Sequence, residues 1–153
     1  MRRSLALCLT LVLLGCRKDE TPSPPSAPAK AIASAPSLGP PPYAVEVDNW
    51  EGPVGEEGYI TVAVHARRGH KINRDYPQRI EWEAPPAGLE LPLPRMGLEL
   101  ADLPTDEQLL FTVPAVATAA GRYPVQGSVR LSVCSASTCK TVREPVRATV
   151  TAQ

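Results

Sequence analysis

Beyond residue 42 the chain is a succession of short runs in which apolar and polar residues alternate. In Tyr59-Ile60-Thr61-Val62-Ala63-Val64-His65-Ala66 the residues Ile60, Val62, Val64 and Ala66 share one parity, the signature of a strand buried on one face. Six more runs read the same way: Tyr43 to Asp48, Arg79 to Glu83, Gly88 to Leu91, Glu107 to Val113, Arg122 to Cys134 and Cys139 to Thr151. Proline and glycine punctuate the junctions, at Gly52-Pro53, Pro85-Pro86, Pro92, Pro94, Pro104, Pro114 and Gly121, and no helical period survives these breaks.

About seven to eight short strands in roughly 110 residues predict an all-β fold, an immunoglobulin-like antiparallel sandwich, with a small barrel as the alternative. The chain holds a single Phe, at position 111, so its core has to be built from Val, Leu and Ile. Trp50 and Trp82 are candidate binding aromatics but fit core or half-buried packing better. The formal net charge is zero and beyond residue 42 the sequence has no basic cluster other than Arg67-Arg68, which argues against a nucleic-acid footprint. Neither a phosphate-cradling Gly-rich loop nor a nucleophile elbow is present, and no cofactor is called for.

The N-terminus has a different pattern. Arg2-Arg3 precedes about ten apolar residues, Leu5 to Leu14, half the roughly 20 needed to span a bilayer. Leu13-Leu14-Gly15-Cys16 follows, which resembles the lipobox of bacterial lipoproteins. Residues 1–15 are therefore expected to be a cleaved signal peptide, with Cys16 the lipidated residue, facing the periplasm. A plain secretory signal is the alternative. Arg17, where some such proteins carry a retaining Asp, favours the outer membrane. Residues 16–42, rich in Pro, Ala and Ser, read as a semi-stiff tether. Residues 43–153 then form one domain.

Cys8 leaves with the signal and Cys16 carries lipid, so Cys134 and Cys139 are the thiols of the mature domain. Along the penultimate strand Val125, Val129, Leu131 and Val133 share one parity and Cys134 belongs to the other; Cys139 likewise opposes Val142, Val146, Ala148 and Val150. Both cysteines thus fall on polar faces, with Pro145 marking an edge strand or a bulge. A hairpin through Ser135–Thr138 makes them cross-strand neighbours within reach of a disulfide. Such a bridge closes six residues, worth about 2 kcal/mol by chain entropy. Lys140, Arg130 and Arg143 nearby would favour a thiolate. Two readings fit: an exchangeable redox pair, or a structural clip in a non-catalytic envelope binding module.

Further residues carry a family resemblance: Gly69-His70-Lys71-Ile72-Asn73 with Tyr76-Pro77 and Ile80, Pro86-Ala87-Gly88-Leu89, Phe111-Thr112-Val113-Pro114, and Gly121-Arg122-Tyr123-Pro124-Val125-Gln126-Gly127 leading into Cys134 and Cys139. Over roughly residues 58–150 the chain resembles the N-terminal periplasmic domain of the DsbD family of thiol:disulfide interchange proteins. The resemblance implies an immunoglobulin-like domain whose catalytic pair, Cys134 and Cys139, passes electrons from a separate membrane donor to periplasmic thiol/disulfide proteins. It also implies that Leu93 to Leu98 occupies the place of a loop capping the cysteines. The chain departs from the family in having Lys140-Thr141 where prolines usually follow, and no aromatic between Leu93 and Leu98. A third reading joins His65 and His70 to the two cysteines as a tetrahedral metal site, although both histidines fit solvated surface positions.

Overall fold

A computed structural model describes residues 40–153. The expected signal peptide, the lipidation at Cys16 and the tether as far as residue 39 lie outside the described residues. The described residues form eleven strands: β1 (Tyr43–Asp48), β2 (Trp50–Gly52), β3 (Glu57–Ala66), β4 (Lys71–Ile72), β5 (Arg79–Trp82), β6 (Leu89–Glu90), β7 (Arg95–Gly97), β8 (Asp102–Thr105), β9 (Gln108–Ala117), β10 (Gly121–Cys134) and β11 (Cys139–Ala152). One sheet runs β1-β3-β9-β6 with β8 also on β9, and the other runs β2-β11-β10-β5-β7 with β4 also on β10. All pairings are antiparallel except β2 with β11.

This order is that of an immunoglobulin-like sandwich: β1, β3, β9 and β6 correspond to strands A, B, E and D, and β11, β10 and β5 to G, F and C. Two side chains strengthen the assignment. Trp82, on the C strand, is buried in the core. Tyr123, near the start of the F strand, donates its hydroxyl to the carbonyl of Ala119 at 2.8 Å, the tyrosine corner of such domains. The prediction of an all-β sandwich holds, with more strands than expected because β2, β4, β7 and β8 are only two to four residues long.

Period two explains the core. Ile60, Val62 and Val64 of β3 and Leu109, Phe111 and Val113 of β9 point inward from one sheet, and meet Ile80, Val129, Leu131, Val133 and Val150 of the other. The F strand passes close to the C strand at Gly127, which pairs with Trp82; a Cβ there would stand 2.5 Å from the Glu81 carbonyl. Only glycine fits that approach. β11 pairs with β10 over its whole length without a register break, so Pro145 marks no bulge. Its other side is open there, since β2 covers only residues 150–152. Pro145 therefore sits on an edge strand, where its missing N–H costs no ladder bond.

Tyr43 ties the open edges of the two sheets together. Its hydroxyl donates to Glu144 Oε2 at 2.8 Å, and its pKa is pushed up to about 12, first by burial and then by the adjacent carboxylate.

Candidate functional site

The β10–β11 hairpin ends in a tight loop. Ser135 N–H donates to the Thr138 carbonyl at 2.8 Å, and the Ser135 hydroxyl accepts from the N–H groups of Ser137 and Thr138. Bonding at 135/138 makes the next pair, 134/139, one of the non-hydrogen-bonded type, in which side chains approach most closely. Cys134 and Cys139 are disulfide-bonded with their Cα atoms 3.9 Å apart. Cys139 is exposed and Cys134 half-buried.

The bridge differs in place from that of antibody domains, which joins strands B and F through the core. Here the facing interior is filled by Val62, Phe111, Val129 and Leu131, all fully buried, and the disulfide joins F to G at the sandwich's end.

Cys134 has a second neighbour strand. β4 pairs Ile72 with Val133 and Lys71 with Cys134. The preceding turn closes with His70 N–H donating to the Arg67 carbonyl at 2.9 Å, and Gly69 supplies its φ of 83°. A cleft of about 250 Å³ results, lined by Gly69, His70, Lys71, Glu107, Cys134, Ser135 and Ala136. His70 Nδ1 is buried and has no hydrogen-bond partner among the described residues. Lys71 is turned toward Asp106 at 3.2 Å, and Arg74 reaches the same carboxyl at 3.1 Å. The Lys71 hydrogen bond and the two positive charges hold Asp106 below the ordinary carboxylate range.

β4 is held to β10 by a side chain that imitates backbone. Gln78, 1% exposed, accepts from the Ser132 N–H through Oε1 at 3.0 Å and donates Nε2 to the Asn73 carbonyl at 2.7 Å. Asn73 N–H in turn donates to the Ser132 carbonyl at 2.9 Å. The amide thus continues the ladder across the gap between β4 and β5, two residues from Cys134.

The remaining expectations come out as follows. His65 lies on the outer face of the opposite sheet, 3.7 Å from Glu46 and 3.4 Å from Gln108, so the four-ligand metal set does not assemble, and no group of three or more metal-ligating side chains converges among the described residues. Leu93–Leu98 does not line the cleft at Cys134: β7 pairs with the far side of β5, and Met96 turns into the core. The turn at Gly69–Lys71 and Glu107 flank the bridge instead. Trp50 is half-buried over Gly58, where a Cβ would overlap its ring. Gln78, Glu107 and Asp106 had no signal in the sequence, since each acts through a loop whose path strand parity does not predict.

No protein-family profile matches the chain, and no curated protein matches it. Among solved structures it is similar to AggA, the major subunit of aggregative adherence fimbriae type I from Escherichia coli, at 9% identity over 72% of this chain and 95% of that one, with a TM-score of 0.36. It is also similar to PapD-like domain 7 of human CEP192, at 12% identity over 76% and 91% of the two chains and the same TM-score of 0.36. Likenesses at this level carry no inference about function.

Proposed function

We propose that the chain is a thiol:disulfide exchange domain akin to the N-terminal domain of the DsbD family, tethered through a lipid on Cys16 to the periplasmic side of the outer membrane. The observation that carries the reading is the location of the bridge. It lies at an exposed hairpin tip beside a cleft, with Cys139 open to an incoming sulfur, and it closes only six residues of a fold whose core is complete without it.

The exchange runs in two balanced halves. A donor dithiol attacks Cys139 Sγ as its thiolate, the Cys134–Cys139 bond breaks, and Cys134 leaves as a thiolate into the cleft. The donor's second thiolate then displaces Cys139, giving the donor disulfide and the reduced pair, with two electrons and two protons transferred. The reduced pair passes both to an acceptor disulfide by the reverse sequence, Cys139 attacking and Cys134 resolving. The donor is a separate membrane thiol protein and the acceptors are periplasmic disulfides.

The test is the reduction potential of the purified full-length protein, expected above about −300 mV. In Cys134→Ser the exposed Cys139 should attack an acceptor's disulfide and hold one of its sulfurs as a mixed disulfide that this domain has no second cysteine to resolve, the acceptor's other sulfur leaving as a thiolate, whereas Cys139→Ser should trap poorly. A potential below that mark, with no trapped complex, would return the bridge to a structural clip.

A further inference from the structure

The chain has equal numbers of acidic and basic residues, yet the fold separates them. Arg79 on β5, Arg95 on β7, Arg130 on β10 and Arg143 and Arg147 on β11 are scattered over the sequence. Strand parity puts all five on the outer face of one sheet, the face that also carries Cys134 and Cys139. Register places Arg130 directly opposite Arg143. The carboxylate among them is Glu81, which lies 2.7 Å from Arg95, 3.1 Å from Arg79 and 3.6 Å from Arg143. Glu83 lines the same shallow cleft as Glu81 and Arg143. Five guanidiniums against two carboxylates leave a positive excess, and among the described residues Arg130 and Arg147 have no ion-pair partner. Farther along the face Arg122 and Glu51 flank Thr151 and offset each other.

We infer that this arginine face is the docking surface for an acidic protein partner, whose carboxylates lie on Arg130, Arg143 and their neighbours while its reactive sulfur meets Cys139. The inference rests on the exchange reading and names the partner's chemistry. Arg130 and Arg143 each stand four residues from their own cysteine, about 13 Å along an extended strand, so one partner surface covers both. The composition favours carboxylates. Every excess charge is an arginine, whose planar fork takes a carboxylate in two parallel hydrogen bonds. Glu81 and Glu83, set inside the patch, would repel a continuous polyanion such as a bilayer surface or a nucleic acid, but leave gaps that separate side chains can match. A face of this kind raises the encounter rate and loses its advantage in salt.

The test uses the full-length protein in detergent. Two model peptides are compared, one with three Asp residues placed four positions from its cysteine and one with three Lys there, each first as a redox-inert Ser version for binding. Fluorescence anisotropy should show the Asp peptide binding at least about tenfold more tightly than the Lys peptide at low salt. The preference should disappear in 0.5 M salt and in Arg130→Glu/Arg143→Glu. Equal binding of the two peptides, or a stronger effect of the double variant on anionic vesicles than on the Asp peptide, overturns the inference. The cysteine versions, as disulfides, should oxidise the reduced protein in the same order, and in the variant the ratio of the Asp-peptide to the Lys-peptide rate, each divided by the rate with neutral hydroxyethyl disulfide to remove any change in thiolate reactivity, should fall toward one. If hydroxyethyl disulfide itself fails to oxidise the pair, the exchange reading falls, and the binding result alone decides the arginine face.

Discussion

Gln78→Met keeps the length of the side chain and removes its amide, which isolates the ladder-bridging role of Gln78. The substitution leaves the Ser132 N–H without a partner at a position 1% exposed, and deprives the half-buried Asn73 carbonyl of a donor. A buried donor left unpaired costs about 1–3 kcal/mol, and a partly hydrated carbonyl less, so the expected loss is about 2–3 kcal/mol. With urea m-values of about 1–3 kcal/mol/M, the midpoint of unfolding followed by tryptophan fluorescence should fall by roughly 1–2 M. Gln78→Glu supplies a built-in control. Its protonated carboxyl can accept from Ser132 and donate to Asn73, whereas its ionised form can only accept and is buried. Burial raises the folded pKa above the unfolded value, so this variant's stability should be nearly native below about pH 4 and be lost as pH rises through the folded pKa. A Gln78→Met midpoint within about 0.3 M of the wild type, or a Gln78→Glu deficit that does not shrink in acid, would refute the reasoning.

Tyr43, raised to about 12, should contribute stability that is complete below pH 10 and lost as pH climbs from 10 through 12, because the unfolded phenol ionises first. The gap between wild type and Tyr43→Phe, about 1 kcal/mol at neutral pH, should close across that window in urea titrations; a gap that stays constant to pH 12 would contradict the bond to Glu144. The double variant Cys134→Ala/Cys139→Ala should lose about 2 kcal/mol or less and still unfold cooperatively, as calorimetry would show. An unfolded double variant would mean that the fold depends on the bridge.

Strand parity carried much of the fold because the long strands each bury one face only. Ile60, Val62 and Val64 alternate cleanly with solvated residues, and the same alternation put both cysteines on the outer face. The two-to-four-residue strands were invisible for a physical reason: β4 exists because Lys71 and Ile72 find β10, and neither residue has a local pattern that announces it. The arginine face was hidden in another way. Read along the chain, Arg79, Arg95, Arg130, Arg143 and Arg147 are isolated charges, and only the register of four strands gathers them. Arg130, Arg143 and Arg147 were legible, because their hairpin could be paired from the sequence. The absence of a linear basic cluster therefore said little about the charge of the folded surface.

Placing the disulfide at the F–G tip also bears on how an exchange protein stays folded. Under the proposed exchange each cycle would open and close the bridge, so any stability the bridge supplies would be withdrawn at every reduction. A bridge between inward positions such as Val62 and Leu131, where antibody domains have theirs, would enclose roughly 70 residues and change stability on the order of 4 kcal/mol per cycle, a large share of a small domain's total. The six-residue loop at Cys134–Cys139 changes it by about half of that, and the Ser135 turn and the full-length β10–β11 ladder already restrict those residues. The core between Val62, Phe111, Val129 and Leu131 is packed without sulfur. An immunoglobulin-like domain built this way is expected to keep its arginine face and its cleft in register when the bridge is reduced, as the proposed exchange with a donor and an acceptor would require.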